Sequence, residues 1–139
     1  MKAKKLIDMT IEGEAVAFYA PPHDEPDFPW VAALPLAKAF LPEDAAVQML
    51  KNTQRFEEGK TVLTISDGDA LVTIMPHPLA QGLCSAIDEI LSDTPEDEDG
   101  PALAAYTEAL QGVLSKHFVM PFERAMAAFK NAGGPFLRA

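Results

Sequence analysis

The chain has 139 residues, of which 48% are apolar and 23% charged, and its formal net charge at pH 7 is −10. This size and composition suit one compact domain and exclude intrinsic disorder of the whole chain, because enough apolar surface is present for a core. No stretch approaches the ~18 consecutive apolar residues of a membrane span, and no apolar segment follows the basic N-terminus, so a cytoplasmic protein is expected. A single cysteine, Cys84, excludes an internal disulfide.

The acidic charge lies in one continuous stretch. Residues 61–115 contain ten Asp or Glu residues and no Lys or Arg, whereas the rest of the chain holds eleven acids and eleven bases. Such a surface repels a phosphate backbone, whose neutralisation by Lys and Arg dominates affinity for nucleic acids. Nucleic acid is therefore not expected to bind here, and an acidic face that merely keeps the protein soluble is the alternative interpretation.

Short strands are predicted first. Residues 6–11 and 15–20 are rich in apolar and aromatic side chains and flank a Glu-Gly-Glu break, which favours two strands joined by a turn. Residues 21–27 form a loop rich in proline and acid. A further strand over 28–33 is confined by Pro29 to a sheet edge or to a strand start.

Asp67-Gly68 predicts a β-hairpin. This pair lies between β-rich runs at 61–66 and 69–75, and Asp-Gly favours a two-residue type I′ turn with positive φ at both positions. The predicted register pairs Ile65 with Ala70, so that one face of the hairpin is largely apolar.

Helices are predicted from apolar residues at helical spacing and from prolines or acids in the first turn. They span residues 35–40, 42–58, 79–91 and 101–118, and a shorter helix is expected at 122–129, after Pro121.

This order of elements predicts an α+β fold, with a small antiparallel sheet and its hairpin packed against helices, plus a C-terminal helical extension. Residues 1–92 are predicted to form the α+β domain, and 93–100 an acidic linker. The helices of 101–139 carry an apolar stripe that must pack on this domain or on a second copy, and the second case would give a homodimer.

The residues that could bind a metal or take part in catalysis are far apart in the sequence. His23 has acids beside it that could hold a divalent metal, but no second histidine is near. His77 and Cys84 could form a thiolate pair, yet no base lies close enough in sequence to activate Cys84, which favours a packed core cysteine. Glycine-rich phosphate loops and the Gly-x-Ser-x-Gly elbow are absent from the sequence. No catalytic residue, metal site or cofactor is predicted.

Ordered short motifs resemble the N-terminal domain of phage antirepressors, a regulatory domain related to the viral Bro-N type. The matching stretches are AVAFYA at 15–20, PWVAALPLA at 29–37, QMLK at 48–51 with RF at 55–56, the hairpin at 62–75, LAQGL at 79–83 and AYTEAL at 105–110. The resemblance implies a non-enzymatic, prophage-type regulator that binds another protein, such as a transcriptional repressor with a basic surface.

Two groups of residues are candidates for contact with a partner. The acids of the linker are the candidates for protein binding: Asp93, Glu96, Asp97, Glu98 and Asp99. The alternative is a regulator that binds DNA directly, for which Lys51, Arg55 and Lys60 are the candidate contacts. An enzyme with an unrecognised site is the third possibility.

Overall fold

The computed structural model describes residues 3–23, 27–54, 62–91, 100–119 and 136–137. The chain forms, in order, strands β1 (Lys5–Ile11), β2 (Glu14–Tyr19) and β3 (Trp30–Ala32), helices α1 (Ala33–Lys38) and α2 (Glu43–Gln54), strands β4 (Leu63–Asp67) and β5 (Ala70–Met75), helices α3 (His77–Leu91) and α4 (Pro101–His117), and the short strands β6 (Phe118–Val119) and β7 (Phe136–Leu137).

The first five strands form one sheet in the order β1-β2-β3-β5-β4, and every neighbouring pair is antiparallel. Helices pack against one face of this sheet, so the predicted α+β fold is confirmed. Strand β3 starts directly after Pro29, as expected, but it lies inside the sheet rather than at an edge. None of the described helices is both long and apolar enough to cross a lipid bilayer.

The type I′ turn lies in the first hairpin. Glu12 and Gly13 have φ angles of 49° and 82°, and they connect the paired residues Ile11 and Glu14. Positive φ at both central positions is the signature of type I′, whose twist matches that of the flanking strands.

The predicted register of the second hairpin is wrong. Asp67 pairs with Ala70 and Ile65 with Val72, so the turn residues are Gly68 and Asp69. Gly68 alone has a positive φ, 63°, and a glycine in the first central position is typical of a type II′ turn. The register therefore moves by two residues, which leaves each side chain on its predicted face because strand faces alternate with a period of two.

Two helices begin earlier than predicted. Helix α1 starts at Ala33 and α3 at His77. Pro35 lies in the first turn, as expected, whereas Pro78 lies inside the first turn rather than before the helix. Proline fits there because the first N–H groups of a helix have no intrahelical partner. The carbonyl of Pro76 accepts the first hydrogen bonds of α3.

Helix α4 belongs to the main core. It contacts α3 and β1, and its predicted apolar stripe is packed in one cluster with one face of the sheet. The cluster includes Val16, Phe18, Val31, Leu36, Met75, Ile87, Tyr106, Leu110, Val113 and Phe118. Contact between residues 101–139 and a second copy stays a prediction, and the predicted helix at 122–129 lies outside the described residues.

The opposite sheet face carries a second, smaller cluster. Tyr19, Trp30, Ala32, Ile65 and Ile74 are buried there. Strands β2, β3 and β5 therefore bury residues on both faces, which explains their nearly continuous apolar sequence, whereas β4 buries only one face.

Candidate functional site

The charged residues from β4 to α4 are acidic up to Lys116. Asp67 and Asp69 at the hairpin turn, Glu89 on α3 and Glu108 on α4 are all exposed. The predicted partner-binding acids, Asp93, Glu96, Asp97, Glu98 and Asp99, lie outside the described residues. The helices on either side of them, α3 and α4, are described.

Asp88 of α3 joins the two helices at this point. Its Oδ1 accepts the backbone N–H of Ala102 at 2.8 Å, and its Oδ2 accepts that of Leu103 at 3.0 Å. Asp88 is only 5% exposed, and its carboxylate lies at the positive end of the α4 dipole. The carboxylate therefore caps α4 from another helix, a role usually taken by the residue before the first turn.

Gly100 is required beside this cap. A Cβ at that position would collide with the side chain of Asp88. The end of α3 and the start of α4 are consequently in contact.

The last turn of α3 extends beyond the start of α4. Buried residues recur along α3 at helical spacing up to Ile87 and Asp88. The next members of the same apolar stripe, Ile90 and Leu91, are 65% and 56% exposed. We call Glu89, Ile90 and Leu91 the α3 overhang.

Leu71 is a second exposed apolar residue. It lies on β5 near the hairpin turn, is 77% exposed, and faces away from the cluster formed by Tyr19 and Trp30. Single exposed apolar residues are common on protein surfaces, so Leu71 alone does not indicate a binding site. It is used below as a control for the adjacent pair in the α3 overhang.

A buried hydrogen bond joins the start of α3 to the middle of α4. The Nδ1 atom of His77 lies 2.9 Å from the hydroxyl of Tyr106, and both residues are buried. The rings of Phe28 and Phe18 pack on His77 and Tyr106 respectively. Burial lowers the pKa of His77, and the carboxylate of Asp27 opposes this shift only in part.

Cys84 is packed in the main core, as predicted, and does not pair with His77. Burial raises the pKa of its thiol to about 12, and the carboxylate of Asp88 acts in the same direction. Burial likewise raises the pKa of Tyr106. Because a thiolate is the reactive form of cysteine, Cys84 is a poor nucleophile at neutral pH.

Asp27 organises the loop before β3. Its Oδ2 lies 3.0 Å from His23 Nε2 and accepts the indole N–H of Trp30 at 3.3 Å, while its Oδ1 accepts the N–H of Phe28. His23 is thus paired with a carboxylate that also accepts hydrogen bonds from Phe28 and Trp30. In the part of the chain that the structure describes, no group of three His, Cys, Asp or Glu residues could hold a metal ion.

The candidate nucleic-acid contacts are only partly described. Lys51 is exposed in the last turn of α2, whereas Arg55 and Lys60 lie outside the described residues. Lys5 and Lys38 have acidic neighbours, with Asp8 at 2.9 Å and Glu14 at 3.8 Å respectively. These two pairs reduce the positive potential of the N-terminal half.

Sequence reasoning missed Asp88 and the His77–Tyr106 bond. A signal for Asp88 existed, because a carboxylate in the apolar stripe of α3 is rarely buried without a donor. The Gly100-Pro101 pair supplied the other half of that signal, since glycine and proline often begin a helix. His77 and Tyr106 are 29 residues apart, and no periodicity relates them.

None of the protein-family models, curated proteins or solved structures compared with the chain matches it.

Proposed function

We propose that this protein is a non-enzymatic, prophage-type regulator that acts by binding another protein, and that the partner is a transcriptional repressor with a basic surface. The observation that carries this proposal is the charge of the stretch from β4 to α4, in which Asp67, Asp69, Glu89 and Glu108 are exposed and no Lys or Arg occurs before Lys116. The intervening sequence adds five acids between Asp93 and Asp99 and no base.

This charge distribution suits a partner that binds phosphate. A DNA-binding face is rich in Lys and Arg, and an acidic surface complements it. Such complementarity raises the association rate and selects the partner more than it adds affinity. Its effect falls with salt, because the Debye length is about 8 Å at physiological ionic strength.

The resemblance to phage antirepressor N-terminal domains supports the same class of function. Apart from RF at 55–56, which is outside the described residues, the stretches that carry it fall on successive elements, namely β2, β3 with α1, α2, the β4–β5 hairpin, α3 and α4. They therefore follow the order of the fold rather than one isolated segment.

Copurification from the native host tests the proposal. Wild-type protein is compared with a variant in which the five acids of the 93–99 segment are replaced by Asn or Gln, at low and at moderate salt. We expect wild type to retain a DNA-binding regulator at low salt and the variant to retain much less. The control variant neutralises five acids elsewhere in the chain, namely Glu12, Asp24, Glu25, Glu57 and Glu58.

The identified regulator is then bound to its operator duplex and titrated with this protein. Release of the duplex supports antagonism of a repressor. If wild type and variant retain the same proteins equally at both salt concentrations, the electrostatic basis of the proposal is wrong. A labelled duplex that binds this protein alone, and loses affinity when Lys51, Arg55 and Lys60 are changed to Ala, would instead favour direct DNA binding.

A further inference from the structure

We propose that the α3 overhang is the apolar anchor of the partner-binding surface, and that its occupant is a protein segment with an apolar side chain flanked by Lys or Arg. This inference rests on the proposed function and names the chemistry of the partner at that surface.

The first argument is the position of Ile90 and Leu91 on the helix. They continue the stripe whose earlier members, Leu83 and Ile87, are buried against the rest of the fold. The stripe becomes exposed where α4 starts, and that point is set by the contact of Asp88 with Ala102. Two adjacent, large apolar side chains are thereby presented together on a regular helix.

The second argument is the charge around the pair. The C-terminal turn of a helix carries partial negative charge, which a basic residue commonly balances. Helix α3 has no basic residue in its last turn, and Glu89 adds a further negative charge there. The sequence that follows is acidic as far as Asp99. A Lys or Arg from a partner would balance this charge.

A second copy of this chain does not fit the surface. In a symmetric dimer through the α3 overhang, the same patch of both copies would meet, which would bring the two Glu89 carboxylates and the two negative C-terminal ends of α3 close together. Like charges placed opposite one another oppose association. The charge therefore favours a basic partner over self-association at this place.

The two parts of the surface have different kinetic roles. Long-range attraction by the acids acts on the association rate, whereas burial of Ile90 and Leu91 slows dissociation. A change in the apolar pair should consequently alter affinity without altering its dependence on salt.

Synthetic peptides provide the test. The probe is an amphipathic helical peptide with Leu on one face and Lys and Arg on its flanks. One matched peptide has Ser in place of Leu, and another has Glu in place of the bases. Binding is measured by fluorescence anisotropy, and methyl NMR spectra report whether Ile90 and Leu91 are contacted.

We expect the basic apolar peptide to bind and to shift the methyl signals of Ile90 and Leu91. The Ile90→Ser/Leu91→Ser variant should weaken binding about tenfold or more, since burying one such side chain contributes at least ~1.5 kcal/mol. The control variant Leu71→Ser removes an exposed leucine of the β4–β5 hairpin and should leave binding unchanged. Equal thermal unfolding of the variants confirms that the fold is intact.

Three results would overturn the anchor. These are equal binding of the Ser-for-Leu peptide, unchanged affinity in the Ile90→Ser/Leu91→Ser variant, or an equal loss in Leu71→Ser. Its failure is distinguishable from that of the proposed function. A regulator that copurifies with the Ile90→Ser/Leu91→Ser variant as well as with wild type leaves the function standing and removes the anchor.

Discussion

The hydroxyl of Tyr19 donates a hydrogen bond of 2.9 Å to Oδ2 of Asp67, although β3 and β5 lie between their two strands. In a flat sheet these strands would be about 14 Å apart, at ~4.8 Å per spacing. Asp67 also lies at the turn end of the hairpin, beyond the residues that join β5 to β3. The bond therefore requires the hairpin to curl over the sheet face that carries Tyr19.

This curl explains how the second cluster is buried. Twisted antiparallel sheets curl readily, and here Ile65 and Ile74 are brought over Tyr19 and Trp30. The buried phenol then meets the carboxylate at the rim of the cluster. Burial, together with the bond to Asp67, raises the pKa of Tyr19, so that the phenol remains the donor.

Removing the Tyr19 hydroxyl should loosen the hairpin. We expect Tyr19→Phe to lower the free energy of unfolding by about 1.5–3 kcal/mol, the range for a hydrogen bond to a charged group. Urea titration measures the change, and amide exchange should rise in β4 and β5 before other strands. Asp69→Asn, which alters the exposed neighbouring acid, is the control and should have little effect.

The sequence predicted the faces of this hairpin but not its register. Alternation along 61–75 places Ile65 and Ile74 on one face whichever two-residue turn is used. The pairing registers of the two possible turns differ by two residues, and a shift of two leaves every side chain on the same face. The register depends on whether Gly68 takes the first or second central position of the turn. Pairing of Ile74 and Met75 with β3 also constrains it, and that contact is not local in sequence.

For the helices too, the local sequence predicts which residues form an apolar stripe but not how two helices pack against each other. Helical spacing identified the stripe of α3, including Ile90 and Leu91, and its acidic continuation. Spacing does not reveal that α4 begins beside Asp88 and leaves Ile90 and Leu91 uncovered, because that depends on how two helices are staggered. The α3 overhang was therefore visible only once their packing was known.

Cys84 should resist thiol reagents in the native protein. Its thiol is fully buried and its pKa is raised to about 12, so little thiolate exists at neutral pH. We expect reaction with a chromogenic disulfide to be slow in buffer and fast in urea, with the rate following the unfolded fraction. Rapid native labelling would contradict the packing of α3 described above.

His77 should make stability depend on pH. Its folded-state pKa lies below the unfolded value of about 6.5, because burial disfavours the charged ring. The unfolded state therefore binds more protons in this range. The stabilisation from neutral His77 is present above pH ~6.5 and is lost as the pH falls from there towards the folded pKa.

The variant His77→Asn tests whether His77 causes this pH dependence of stability. An amide can replace the hydrogen bond between His77 Nδ1 and the Tyr106 hydroxyl but does not titrate, so the variant should lose much of the pH dependence between about pH 5 and 7. His23→Asn is the control, because His23 is at the surface beside Asp27. Urea midpoints measured across this range provide the comparison. An unchanged slope in His77→Asn would show that other groups cause it.

Two glycines should respond oppositely to alanine. Gly100→Ala places a Cβ against the Asp88 side chain, which must move and release Ala102 or Leu103, whereas Gly82 has open space in α3. We expect Gly100→Ala to cost about 1–3 kcal/mol, the range for losing a helix cap or leaving a buried polar group without a partner. Gly82→Ala should stabilise by up to ~1 kcal/mol through helix propensity.

Urea unfolding measures both effects, and the double variant Gly100→Ala/Asp88→Ala identifies the cause of the loss at Gly100. If the Asp88 contact is responsible, adding Gly100→Ala to Asp88→Ala should cost much less than it does in wild type, whereas an equal cost in both backgrounds would place the clash elsewhere.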